Sequence, residues 1–145
     1  MNHSEAALSC FHNGFNCAQA VLTSCCAEVG LDQGTALKVA AAFGGGMGRL
    51  GEVCGAVSGA FMLLGLKYGK YQVGDEQARE KTDALVQRFA AEFQAVHGSL
   101  RCADLLGGTL QTPEARQRIA GKMKTVCPVV IRDAVKIIET IFKES

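Results

Sequence analysis

Four of the seven cysteines in this chain share a local setting that favours thiolate chemistry. Cys17 follows Asn16, a residue type that caps helices; Cys54 follows a glycine-rich loop and Glu52; Cys102 comes soon after Ser99; Cys127 directly precedes Pro128. Each is expected in the cap or first turn of a helix. There, free amide groups and the positive end of the helix dipole stabilise a thiolate, taking its pKa from about 8.5 into a range of ~3.5–7.5. The thiolate is the form of cysteine that ligates metals and attacks as a redox nucleophile. Arg49, shortly before Cys54, adds positive charge if the loop folds back over the helix start. Cys10, Cys25 and Cys26 fall inside or late in expected helices and read as small buried hydrophobes. There is no C-x-x-C pair and no C-x-x-C-H, so spacing leaves three chemistries open: an iron–sulfur cluster, a Cys₄ zinc ion, or dithiol/disulfide cycling without a metal. The cysteine-bearing segments lie far apart in the chain, whereas structural zinc sites use close pairs, which favours a redox role.

Glycine supplies the second signal. Gly46-Met47-Gly48-Arg49-Leu50-Gly51 fits G-x-G-x-x-G and precedes a helix, the pattern of a dinucleotide-binding turn. That turn works only after a β-strand, and the preceding Ala36–Phe43 is alanine-rich and reads as helix. Asp75 and Glu76, at the right distance for a ribose ligand, read as a helix cap instead. Gly51, Gly55 and Gly59 recur every four residues and are expected on one face of a helix, where a second backbone can approach closely. His12 and His97 sit near helix ends, Met47 in a loop and Met62 in a core helix; none is a site residue. No Ser-His-Asp set or carboxylate pair gives hydrolysis a foothold.

The elements that must position these residues are helical. Residues 4–12 form a short helix ending at Asn13-Gly14, and Asn16 caps a second that closes at Gly30. Thr35 opens an alanine-rich helix to Phe43, an apolar helix runs from about Glu52 to Tyr68, and Asp75 caps one that ends at His97-Gly98. Leu100–Leu106 is a short turn, Thr112-Pro113 opens a polar helix that stops near Gly121, and the last helix starts at Cys127-Pro128. Two-residue alternation is absent, so the expected fold is an all-α bundle of six to eight helices. At 145 residues, against ~150 per domain, it is one domain spanning 1–145. A net charge of +1 offers no field for nucleic acid or an anionic membrane. The longest apolar run, Val53 to Leu66, is shorter than the ~20 residues of a membrane span. An odd cysteine count and an N-terminus unlike a secretory leader point to the reducing cytoplasm.

Several of these motifs together resemble a known family. Gly14-Phe15-Asn16-Cys17-Ala18-Gln19-Ala20-Val21, Gly46-Met47-Gly48 leading to Cys54-Gly55-Ala56-Val57-Ser58-Gly59, Cys102-Ala103-Asp104-Leu105-Leu106-Gly107 and a late Cys127 resemble the C-GCAxxG-C-C family. The likeness spans most of the chain, and the Cys-Gly-Ala-x-x-Gly element stands intact at 54–59. It implies a small, largely helical protein of thiol or cluster redox chemistry with no assigned substrate, its four characteristic cysteines falling on Cys17, Cys54, Cys102 and Cys127. The chain is also similar to a segment of split-Soret cytochromes, from which only an iron–sulfur centre carries across, since their haem attachment motif is missing here.

The leading expectation is that Cys17, Cys54, Cys102 and Cys127 converge from four helix starts into one redox site. It holds an iron–sulfur cluster or another thiolate-bound metal, or needs no cofactor and cycles dithiols. Gly46, Gly48, Arg49, Gly55 and Gly59 support it, and an electron-transfer partner serves it. Two rivals stand beside it: a non-catalytic helical interaction module with structural cysteines, and a dinucleotide-binding enzyme. Spare apolar surface on such a bundle would also allow a homodimer.

Overall fold

Side-chain oxygens fix most of the helix starts. Asn2, Asn16, Asp32, Asp75 and Thr112 each accept a hydrogen bond from an amide in the first turn that follows, at Glu5, Gln19, Thr35, Ala78 and Ala115. The computed structural model describes residues 1–145 as seven α-helices with no strand. They are α1 (His3–His12), α2 (Cys17–Cys25), α3 (Gln33–Ala40), α4 (Gly55–Tyr68), α5 (Glu76–His97), α6 (Cys102–Leu106) and α7 (Pro113–Glu144). Short 3₁₀ segments at Cys26–Val29 and Ala41–Phe43 extend α2 and α3. The all-α architecture matches the expectation, and no helix is long and apolar enough to cross a membrane.

The apolar α4 is the central element, buried from Gly55 to Ala60 and again at Leu63 and Leu64, with α2, α5 and α7 packed around it. Phe89 and Phe93 of α5 stack on each other, and Phe61 of α4 meets Phe89 edge-on at 5.8 Å between ring centroids. Ile131, Ala134, Val135, Ile138 and Ile141 supply the buried stripe of α7. Side chains of this kind contribute about 1.5–3 kcal/mol each when fully buried.

Two expected boundaries are corrected. The chain does not break between Gly121 and Cys127: α7 is one helix of 32 residues with Pro128 inside it. Proline removes one helical donor, and the carbonyl it leaves free belongs to Lys124, an exposed residue that water can satisfy. The buried face, meanwhile, runs on from Ile119 through Cys127 to Val130 without a phase change, so packing holds both halves in one helix. The apolar helix also begins at Gly55 rather than Glu52, because Val53 pairs as an isolated antiparallel bridge with Arg101. Gly51 is therefore a loop residue at φ 75°, outside the stripe it was expected to share with Gly55 and Gly59.

The remaining stripe brings α2 against α4. A Cβ at Gly55 would lie 2.9 Å from the Ala18 amide nitrogen, and one at Gly59 would lie 2.8 Å from the Ala18 carbonyl oxygen. Both contacts are with backbone, which cannot swing aside. Gly59→Ala is therefore expected to lower stability by about 1–3 kcal/mol in denaturant unfolding. Gly65→Ala on the same helix meets nothing within 4 Å and should raise stability by up to about 1 kcal/mol.

Candidate functional site

Cys17 is the first residue of α2 and is placed by the cap before it. The Asn16 carboxamide oxygen accepts from the Gln19 amide at 2.9 Å, and the Gln19 side chain accepts from the Asn16 amide at 2.9 Å. The same two side chains donate to the carbonyls of Ala41 and Leu37, tying the start of α2 to the α3 region. A Cβ on Gly44 would fall 2.5 Å from Asn16, so the following loop passes directly over the cap. Across the helix crossing, Gly55 leaves room for the Cys17 side chain, which a Cβ there would approach to 3.2 Å.

Cys54 and Cys102 are brought together by backbone alone. The Cys54 amide donates to the Leu100 carbonyl at 2.7 Å, the Cys102 amide to the Glu52 carbonyl at 2.7 Å, and the Ala103 amide to the Gly51 carbonyl at 3.1 Å. The loop ahead of this strap is a left-handed turn, with Gly45, Gly46, Met47, Gly48 and Arg49 all at φ between 58° and 69°. Gly46 must be glycine on two counts, since a Cβ would also lie 2.7 Å from Cys102 Cβ and 2.6 Å from the Glu52 nitrogen. Met47 and Arg49 hold the same conformation with side chains, at about 1–2 kcal/mol of strain each. Leading into this turn are α3 and a 3₁₀ segment rather than a strand, so the βαβ context of a dinucleotide site is missing.

Cys17, Cys54, Cys102 and Cys127 line one cavity of about 570 Å³. Cys17 and Cys102 begin α2 and α6, and Cys54 is the residue before α4. Cys127 differs from the expectation: it reaches the cavity from the middle of α7, where no free amides or dipole end face it. Of the supporting residues, Gly48, Arg49 and Gly55 line the cavity, Gly46 is buried beneath it against Cys102, and Gly59 lies outside it, one turn along α4. Arg116, in the first turn of α7, also lines it; no local pattern marks that residue in the sequence.

The electrostatics reverse the expected thiolate stabilisation. Burial pushes Cys54 up to about 11 and Cys102 up to about 12, and the Ala56 and Val57 amides beside Cys54 offset only part of this. Desolvation of a charged sulfur outweighs the helix-end dipole here. Cys17 is raised well above the ordinary thiol range, first by its hydrogen bond with Cys127 and then by burial, with Cys127, Cys54 and Cys102 each adding repulsion. The same hydrogen bond lowers Cys127, which is the sulfur best placed to ionise. All seven cysteines are free thiols, and no three His, Cys, Asp or Glu side chains are placed around a single metal ion.

The other candidates lie apart. Cys10 and the buried Cys25 and Cys26 pack in the main core, away from the cavity. His97 bonds Asp133 of α7 at 2.9 Å, a partner distant in sequence that spacing does not reveal. His3, similarly, pairs with Glu28 and with Glu139.

A pH dependence follows from the raised thiols. In the folded reduced chain Cys54 keeps its proton up to about 11, against an ordinary 9.0, so the unfolded chain ionises first as pH rises. Stability present below pH 9 is then lost toward pH 11, by on the order of 3 kcal/mol for this one group. Denaturant unfolding of the reduced, metal-free chain across that window should show this loss, and Cys54→Ser should remove its share while the shares of Cys102 and Cys17 remain.

Neither a curated protein nor a solved structure matches the chain. The profile of one family, described as "Putative redox-active protein (C_GCAxxG_C_C)", matches residues 15–141, a span that contains all four cavity cysteines. By that match over nearly its whole length, the chain belongs to the C_GCAxxG_C_C family.

Proposed function

We propose that Cys17, Cys54, Cys102 and Cys127 act together as a redox site that holds an iron–sulfur cluster. The donor set carries this reading: one cavity presents four thiols and no carboxylate or imidazole. A lone zinc or iron ion fits poorly, because no three ligands are arranged around one point. A cluster distributes its bonds over several metal atoms, and Cys₄ ligation serves both the [2Fe–2S] and [4Fe–4S] forms. When bound, it would supply one-electron redox chemistry with a potential set by burial, charge and hydrogen bonds to sulfur.

The chain's own residues contribute the rest. Burial holds Cys54 and Cys102 protonated, so binding metal releases protons from them, and affinity should rise with pH. Arg49 and Arg116 are the cavity's charged residues and offset the negative charge that ligation creates. The apolar wall, including Leu105, Leu106 and Val130, lowers the polarity around the sulfurs. An electron-transfer partner and a reducing, cytoplasmic setting belong to the same proposal.

The pairing of Cys17 with Cys127 in the cavity favours a second reading. Both sulfurs line the same space, and their interaction raises Cys17 and lowers Cys127, an asymmetry from which a dithiol/disulfide couple could work without metal.

Anaerobic purification followed by absorption spectroscopy and iron, sulfide and zinc analysis of one sample separates the two. The cluster reading expects a brown protein with stoichiometric iron and sulfide, and iron content at least halved by serine at any one of the four positions. Colourless, metal-free protein in which only Cys17→Ser and Cys127→Ser abolish a two-electron couple would replace it with the dithiol reading.

A further inference from the structure

The charge around the cavity is one-sided. Its only charged side chains are Arg49, from the left-handed turn, and Arg116, from the first turn of α7. Of the five arginines outside the cavity, Arg79, Arg88, Arg101 and Arg132 each meet a carboxylate, and the exposed Arg118 does not. Arg49 and Arg116 meet none. Arg116 spends one N–H on the Leu110 carbonyl at 2.8 Å, which orients the guanidinium and leaves its remaining donors free. The Arg49 amide donates to the Gly44 carbonyl at 3.2 Å, but its side chain makes no hydrogen bond within the chain and is exposed, with its Cγ close against Gly45.

The space these two groups border suits a molecule rather than an ion. Its volume of about 570 Å³ falls within the ~300–1,000 Å³ typical of small-molecule sites. Phe11, Leu105 and Leu110 give it an apolar wall, and Phe15, 40% exposed, stands on its border. Two unpaired guanidinium forks suit a carboxylate or phosphate, which each can grip through paired N–H donors.

We propose that this cavity binds a small organic anion, with a carboxylate or phosphate head on Arg49 and Arg116 and an apolar body against Phe11, Leu105 and Leu110. The inference deepens the redox reading and rests on it for the purpose of binding: it names the class of molecule that reaches the sulfurs. It also accounts for the strain at Arg49. A glycine would adopt φ 65° without cost, but would leave the cavity with one cation.

Calorimetric titration of the whole purified chain with 3-phenylpropanoate, phenyl phosphate and the neutral 3-phenylpropan-1-ol tests this. At least one of the two anions should bind about tenfold or more tightly than the alcohol, and the tighter of the two identifies the preferred head group. Arg49→Gln, at an exposed position, should weaken anion binding about tenfold and leave alcohol binding unchanged. Arg116→Gln should do the same, while Arg116→Lys, which keeps the charge and loses the fork, should recover part of the loss. Equal binding of acid and alcohol, binding of none of the three, or an anion preference that survives both glutamine variants would overturn the proposal. No electron moves in this titration, so such a failure leaves the redox reading to its own metal analysis. Anion preference in a chain with no metal and no redox couple would uphold the site and remove the redox reading.

Discussion

Backbone meets backbone at two places in this molecule, and the positions of Cys17, Cys54 and Cys102 depend on those contacts, while α7 carries Cys127 to them. At the first, Gly55 and Gly59 let α4 lie against the main chain of α2, which sets Cys17 beside the start of α4. At the second, residues 51–54 pair with residues 100–103 through three hydrogen bonds between main-chain atoms, which sets Cys54 beside Cys102. Side-chain packing tolerates small shifts, whereas contacts of this kind have little slack. The left-handed turn at 45–49 delivers the chain from one contact to the other. Its strain at Met47 and Arg49 is retained in a loop that borders the cavity, where local backbone cost often accompanies function.

Such a cavity places two electrostatic demands in opposition. Burial favours neutral thiols, and proximity penalises any second negative charge among them. Neutral sulfurs at Cys17, Cys54 and Cys102 are therefore a stable resting arrangement, and joint ionisation needs cations close by. Bound metal would supply that charge from within, and the two arginines supply it from the wall. The Cys17–Cys127 hydrogen bond adds an asymmetry, since it lets one sulfur ionise ahead of its neighbours at the expense of its partner.

Much of this was legible in the residues, for local reasons. Asn16, Asp75 and Thr112 are caps whose chemistry acts within one turn, and the glycines at 55 and 59 carry a spacing that only a close helix crossing explains. What escaped sequence reasoning depended on distant partners. Pro128 looks like a helix start, yet the continuous buried face from Ile119 to Val130 carries the helix through it. Gly51 fits the glycine stripe by spacing, but the Val53–Arg101 bridge draws its segment out of the helix. Arg116 carries no local sign of a site, because only the tertiary path of α7 brings it to the cavity. The direction of the thiol shifts was misjudged for a related reason: a helix-end dipole can be read from a cap, whereas the depth of burial cannot.

The claim at the centre of this account is that four sulfurs from distant stretches of chain serve one centre. X-ray absorption at the iron edge of anaerobically prepared protein addresses it most directly. The account predicts a first shell of sulfur alone, with iron–iron scattering beyond it. Nitrogen or oxygen in the first shell without an iron neighbour, or no iron signal at all, would contradict it.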